Sequence, residues 1–408
     1  IIYAVKILKV LPWLHFQINI MRTGLLLSLR SCIHRSAFAA ISPAFASASS
    51  DRFQPLPCRL KDSNRQSAFT PSLNNVRPIL CSSTASTFEA PEPPKSHGQP
   101  VFPDIRFRRS PSEGESNDAA TIRNADPEAV FVVTGSNRGI GLQFVISLLE
   151  RTKGKIIACC RSPSSANELK EIGSKHTPER MQILPLNLEE QSSIETLASN
   201  IAQSHRRVDA LFNVAGILGD GTTTPGPERS LANVKREWFD KTLAVNVVGP
   251  TMLTKALSPL MRTTGRRSIK MDVIAEDGSD KENNNSNQLD VTLPTGRPPT
   301  VVVNLSARVG SISDNQLGGW YSYRISKAAL NQSTRTMSLE LKRQGTLIVG
   351  LHPGTTDTDL SKPFQRNVRE GRLFPVEFTV DRLLAVVESI GDENTGGFYD
   401  WAGKALPF

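Results

Sequence analysis

The sequence predicts an α/β fold doubly wound about a mainly parallel sheet, and three observations predict it. From residue 127 to the end, short apolar, β-branched runs alternate with amphipathic segments, the pattern of strands buried between helices. The first of these runs empties into a glycine-rich turn that opens a helix. Far downstream, Tyr323 and Lys327 stand four apart on a second helical segment, so their side chains share one face.

Ala129-Val130-Phe131-Val132-Val133 reads as a buried strand and leads into Thr134-Gly135-Ser136-Asn137-Arg138-Gly139-Ile140-Gly141. The helical pattern Leu142, Val145, Ile146, Leu148, Leu149 follows. Glycines in such a turn let the backbone approach a pyrophosphate, which sits at the positive end of the helix. The next strand, 155–160, ends at Arg161, where a chain selecting NAD presents Asp or Glu to the ribose hydroxyl. A guanidinium there suits a ribose 2′-phosphate instead, because it pairs with phosphate bidentately, and Arg138 is a second cation nearby. Both point to NADP(H).

A free tyrosine has a pKa of about 10 and is a poor proton donor or acceptor at neutral pH, but a neighbouring cation stabilises its phenolate. Tyr323 with Lys327 is therefore a candidate general acid/base. Tyr321 has Ile325 four residues on, so Tyr323 is preferred.

The spacing Gly-x-x-x-Gly-x-Gly, followed by this Tyr-x-x-x-Lys, resembles the short-chain dehydrogenase/reductase family. Further runs are similar to family motifs: Asn213-Val214-Ala215-Gly216, Asn246 in Leu243–Pro250, the strand Val301–Ser306, and His352-Pro353-Gly354-Thr355-Thr356-Asp357-Thr358. The resemblance covers about 127–408. It is closest to the subgroup of Sniffer-type carbonyl reductases and bacterial C-factor proteins, on Gly318 to Asn331 and Gly396 to Lys404.

The resemblance implies a Rossmann fold with a mainly parallel seven-stranded sheet, helices on both faces and a site beyond the carboxyl ends of the strands. It implies Tyr323 as proton donor, Lys327 lowering its pKa and holding the ribose, and Asn246 ordering a water. Asn187 and Leu188, after the strand 181–186, take the place that meets the adenine edge. Asn213, Ala215, Gly216, Pro353, Gly354, Thr356 and Thr358 complete the cofactor set.

The family's serine does not transfer cleanly. Asn304-Leu305-Ser306-Ala307-Arg308-Val309-Gly310-Ser311 puts Ala307 at its position when Gly310 is kept in register. Either the register slips so that Ser306 serves, or Ser311, twelve residues before Tyr323, supplies the hydroxyl. Trp320 and Tyr321, with Leu360, Phe364 and Phe374, are expected around the substrate.

The activity this implies is NADPH-dependent reduction of a small aldehyde, ketone or quinone. The alternatives are an NADP(H)-binding signalling or docking protein, and an alcohol dehydrogenase of plastid lipid or pigment metabolism. A homodimer or homotetramer follows from the resemblance alone.

Residues 1–126 differ in character. Lys and Arg outnumber Asp and Glu 15 to 8 over residues 1–125, so about seven of the nine net positive charges lie there. The high pI is thus no argument for nucleic-acid binding, which needs a basic face on a folded domain. From Met21 the chain is Arg- and Ser-rich, and its first acidic residue is Asp51, the composition of an organellar transit peptide (21–87). A chloroplast is favoured over a mitochondrion. Residues 1–20 read as an upstream gene-model extension, since Lys6 and Lys9 make a membrane anchor costly, and no transmembrane anchor is expected in the mature form. Residues 88–126 read as a disordered linker.

A low-complexity insertion, 263–299, reads as a surface excursion that buries no core and has no catalytic role. The adjacent Cys159 and Cys160 face opposite ways on a strand, and no Cys-x-x-Cys or Glu-flanked His pair exists, so neither a disulfide nor a metal site is expected.

Overall fold

The computed structural model describes residues 101–107, 118–274 and 288–408. The chain divides into two units, Ile1–Pro91 and Glu92–Phe408, and everything described belongs to the second. The segments read as an upstream extension and a transit peptide lie outside the described residues.

The elements run α1 (Ala119–Ala125), β1 (Val130–Thr134), α2 (Gly139–Arg151), β2 (Lys155–Cys160), α3 (Asn167–Gly173), β3 (Met181–Pro185), α4 (Gln191–Ser204) and β4 (Ala210–Asn213). They continue as α5 (Arg236–Leu243), α6 (Gly249–Leu257), β5 (Ser268–Asp272), β6 (Gln288–Thr292), β7 (Thr300–Leu305), α7 (Tyr321–Leu341) and β8 (Thr346–His352). The short β9 (Thr355–Thr356) and β10 (Leu373–Phe374), then α8 (Val376–Ser389) and β11 (Phe398–Asp400), complete the series.

Seven strands form one sheet in the order β11-β8-β7-β4-β1-β2-β3, with every pairing parallel. The seven-stranded doubly wound sheet is thus as the sequence indicated. Chain order reverses between β1 and β4, and the crevice beyond their carboxyl ends is where such sheets bind ligands. Alternation along β1 divides the core. Phe131 and Val133 pack with Phe144 and Leu148 of α2 and Val380 and Leu383 of α8. Val130 and Val132 pack on the opposite face with Ile194 and Leu197 of α4 and Leu253 of α6. Cys159 and Cys160 fall into opposite clusters.

Away from the crevice, Asp209 fastens β4 to β1. Its carboxylate accepts from Arg207 Nε at 2.7 Å, Arg207 Nη2 at 2.7 Å, Arg297 Nη1 at 3.2 Å and the Val130 N–H at 2.9 Å.

Two expectations need correction. The ends of the 263–299 insertion do build core: β5 and β6 pair as an antiparallel hairpin whose Met271 and Val291 are buried, together with Leu293, against the α4 side of the sheet. Each arm alternates apolar and polar residues, a half-buried strand signal that the polar middle of the segment obscured. That middle, 275–287, lies outside the described residues. Part of the 88–126 linker is also structured. The Ile105 N–H donates to Gly403 O at 2.7 Å, Asp104 Oδ1 accepts the Ala405 N–H at 2.8 Å, and Arg123 of α1 is buried and reaches Pro299 O at 3.3 Å. Among the described residues, no helix is long and apolar enough to cross a membrane.

Candidate active site

One cleft of about 680 Å³ lies beyond the carboxyl ends of the strands and joins the glycine turn to Tyr323. A volume of this size is that of an ordinary small-molecule site. At one end, β1 runs into the turn with Gly135 at φ +69°, and a Cβ there would sit 2.9 Å from Ala215 Cα. A Cβ on Gly141 would sit 2.2 Å from Gly135 O, so the turn can close only on glycine. Thr134 Oγ1 accepts the N–H groups of Val214 and Ala215 at 3.0 and 3.1 Å, tying the exit of β4 to the turn. The N-terminus of α2 opens on this cradle, and helix N-termini carry unsatisfied N–H groups that suit a phosphate.

Thr134, Gly135, Asn137, Arg138, Gly139, Ile140, Gly141, Arg161, Asn187, Leu188, Ala215, Gly216, Pro353, Gly354, Thr356 and Thr358 all line the cleft. Two candidates are turned into the frame instead. Ser136 Oγ donates to Val133 O at 2.7 Å, and Asn213 Nδ2 donates to Asn304 Oδ1 at 2.8 Å, pinning β4 to β7. Asn187 is engaged locally, its Nδ2 donating to Glu190 Oε1 at 2.7 Å. Arg138 crosses the cleft to Asp359 at 3.6 Å, with both side chains exposed.

At the other end the structure brings Tyr323, Lys327 and Asn246 together. Tyr323 and Lys327 are buried on α7, with Lys327 Nζ 5.6 Å from the Tyr323 ring centre and donating to Leu305 O at 2.8 Å. Asn246 sits in a π-helical turn, Ala244–Val248, between α5 and α6. Such turns re-aim a side chain, and here the carboxamide clamps the backbone of Ile217: Oδ1 accepts its N–H at 2.8 Å and Nδ2 donates to its O at 2.9 Å. Asn246 Nδ2 also donates to Ser326 Oγ at 3.1 Å, so three segments are locked beside Lys327.

Burial dominates the electrostatics. It holds the Tyr323 phenol above its ordinary value and pushes Lys327 down to about 8. The lowering of the tyrosine by its lysine, expected from the sequence, is therefore corrected: desolvation by burial sets the direction at the phenol. His352, which also lines the cleft, is pushed down to about 4, by burial first and Arg308 second, and is neutral near pH 7.

The serine question receives a geometric answer. Ser306 borders the cleft, but its hydroxyl donates to Asn331 Oδ1 at 2.6 Å. Ser311 does not line the cleft, and its Oγ accepts the Asp314 N–H at 3.2 Å. Ala307 is the residue that packs with Tyr323 and Leu218, and Val309, Trp320 and Phe364 close around them. Trp320 holds a left-handed backbone at φ +54°, a conformation that costs a non-glycine residue roughly 1–2 kcal/mol. Its N–H donates to Glu228 O, while Glu228 Oε2 accepts the Ser322 N–H at 3.1 Å, so one acidic residue fixes the start of α7 and the tryptophan together.

Trp320, Leu360 and Phe364 line the cleft as the sequence indicated. Tyr321 and Phe374 do not, and Phe374 packs instead against Trp401 at 4.8 Å between ring centres. Leu218 and Val309 were missed, since a lone apolar residue in a loop gives no periodic signal.

The model of the short chain dehydrogenase family matches residues 129–270 and 293–369, and the break falls on the hairpin insertion. An uncharacterized oxidoreductase of Schizosaccharomyces pombe is 26% identical over 296 residues, which is 70% of this chain and all of that protein. C-signal of Myxococcus xanthus is 28% identical over 201 residues, 49% of this chain and 93% of its own. Among solved structures, NADPH-bound carbonyl reductase from chicken fatty liver (27% identity, TM-score 0.54) and carbonyl reductase Sniffer of D. melanogaster (28%, 0.54) each cover 69% of this chain and 99% of their own. With the parallel sheet, the glycine cradle and the buried tyrosine–lysine pair in one cleft, these matches place the chain in the short-chain dehydrogenase/reductase family of oxidoreductases.

Proposed function

We propose that the protein reduces small carbonyl compounds (aldehydes, ketones or quinones) with NADPH, and that Tyr323 supplies the proton. One observation carries this reading: the cleft that begins at the glycine cradle, with Arg138 and Arg161 at its edge, ends at the buried Tyr323 and Lys327, with Asn246 buried behind them against Ser326. A cofactor fits this geometry, because Gly135 and Gly141 let the turn close tightly at the N-terminus of α2, where free N–H groups suit a phosphate, and the two guanidiniums suit a 2′-phosphate. A nicotinamide nucleotide bound there would supply a hydride, a proton with two electrons, to the carbonyl carbon. Tyr323, kept protonated by burial, gives its proton to the carbonyl oxygen, and protonated Lys327 offsets the phenolate charge left behind. Asn246 holds the Ile217 wall in place while this happens.

The likeness to the chicken and fly carbonyl reductases supports the substrate class and the cofactor. A second reading, an NADP(H)-binding signalling protein with little turnover, is favoured by the turned-away hydroxyls of Ser306 and Ser311 and by the similarity to C-signal. The deciding experiment follows NADPH and NADH oxidation by residues 88–408 across a panel of aldehydes, ketones and quinones. NADPH-linked turnover supports reduction, whereas tight NADPH binding with no turnover on any compound overturns it in favour of the second reading. We also place the mature protein in the plastid, as the composition of residues 21–87 suggests. A fluorescent fusion of that segment found in the cytosol would refute the placement.

A further inference from the structure

The apolar side chains packed with the Tyr323 ring are Leu218 and Ala307, with Val309, Trp320 and Phe364 at the rim, and the Lys327 ammonium lies 5.6 Å from the ring centre. The hydroxyls on either side of Ala307 in sequence are engaged elsewhere, Ser306 with Asn331 and Ser311 with the Asp314 N–H. The Lys327 ammonium donates to Leu305 O. Ala307, 9% exposed, therefore offers a methyl group where a hydroxyl on the same backbone would reach the neighbourhood of the phenol.

From this we infer that Ala307 sets specificity: the strand that ends beside Tyr323 offers the substrate oxygen no hydroxyl to add to that of Tyr323, and the site selects carbonyls activated by an adjacent electron-withdrawing group. The inference rests on the carbonyl-reductase reading and narrows its substrate class. As hydride adds at carbon, the carbonyl π pair moves to oxygen, which takes the Tyr323 proton; the carbonyl is reduced to the alcohol and NADPH is oxidised to NADP. Negative charge builds on that oxygen before the proton arrives, and each preorganised donor aimed at such an oxygen accelerates reactions by roughly 100-fold or more. A site with one donor leaves that deficit to the substrate. A vicinal dicarbonyl makes it up, because the second oxygen withdraws charge from the developing alkoxide, while a simple ketone does not.

The test compares propiophenone with phenylpropanedione, which share a skeleton and differ in one oxygen on the carbon beside the carbonyl. With the full chain and saturating NADPH, the parent protein is expected to turn over the diketone at least roughly 30-fold faster. Ala307→Ser is expected to raise kcat on propiophenone by roughly 10-fold or more and on the diketone by less than about 3-fold, since a second donor repairs only the deficient case. Ala307→Val, which adds volume without a donor, is expected to lower turnover of both. Comparable kcat on the two ketones in the parent, or an equal gain on both in Ala307→Ser, overturns the inference while leaving carbonyl reduction intact. No NADPH oxidation with either ketone by either protein, with NADPH binding retained, overturns the carbonyl-reductase reading itself.

Discussion

Lys327 is expected to cost the protein stability that its chemistry requires, and Lys327→Met should recover it. The ammonium is buried, and its pKa falls from 10.5 to about 8 through desolvation. That drop corresponds to roughly 3 kcal/mol against the charged form. The substitution also removes the 2.8 Å bond from Nζ to the part-buried Leu305 O, a loss of about 1 kcal/mol. The net gain at pH 7 is roughly 2 kcal/mol, which raises Tm by about 4 °C or somewhat more. The sign with pH follows from linkage. The folded value lies below the unfolded one, so between about pH 8 and 10.5 the unfolded chain holds more protons and the parent becomes more stable as pH rises. The advantage of the variant is therefore full below about pH 8 and shrinks as pH approaches 10.5. Thermal unfolding of both proteins at pH 7 and pH 10 measures this, alongside NADPH oxidation, which the variant should lose. A Tm at pH 7 equal to or below that of the parent, with no dependence of the difference on pH, would refute the claim that a charged lysine is held at a desolvation penalty.

The remaining expectations concern single contacts. Tyr323→Phe removes the proton donor without changing the packing around Leu218 and Ala307, so NADPH affinity should stay within about threefold while turnover falls by roughly 100-fold or more; unchanged turnover in an absorbance assay would sink the acid assignment. Arg161→Asp should weaken NADPH by roughly tenfold and leave NADH within about twofold, because the exchange sets a carboxylate against a 2′-phosphate; fluorescence titration giving equal effects on both nucleotides would refute the charge argument. Asp209→Ala removes the carboxylate shared by the buried guanidiniums of Arg207 and Arg297, leaving Asp126 to Arg207 and backbone carbonyls to Arg297, and breaking such a buried pair costs roughly 3–5 kcal/mol; a denaturation midpoint close to that of the parent would show that the network is solvated.

How far the sequence could be read follows from the range of each determinant. The strand 155–160 was legible to the residue, and β1 to within one, because burial on both faces leaves a continuous apolar run with no competing pattern. Tyr323, Lys327 and the glycine turn were legible because their spacing is local. The β5–β6 hairpin was not, since its partner strands are separated by a polar stretch and each shows only two or three inward residues. The segment 101–107 was not, because a strap whose bonds run to Gly403 and Ala405 has no periodicity of its own.

The serine failed for a different reason. Strand alternation says that Ser306 and Ala307 face apart, but it cannot say which of them faces a tyrosine delivered by another element. That depends on how α7 lies across the end of β7, and on Asn331, two turns beyond Tyr323 on the same helix, taking up the Ser306 hydroxyl. A residue eight positions past the acid thus decides which neighbour of the substrate is polar. For the same reason, freeing Ser306 by Asn331→Leu should leave Ala307 against Tyr323, and only a change at 307 itself should bring a second hydroxyl to the reacting oxygen.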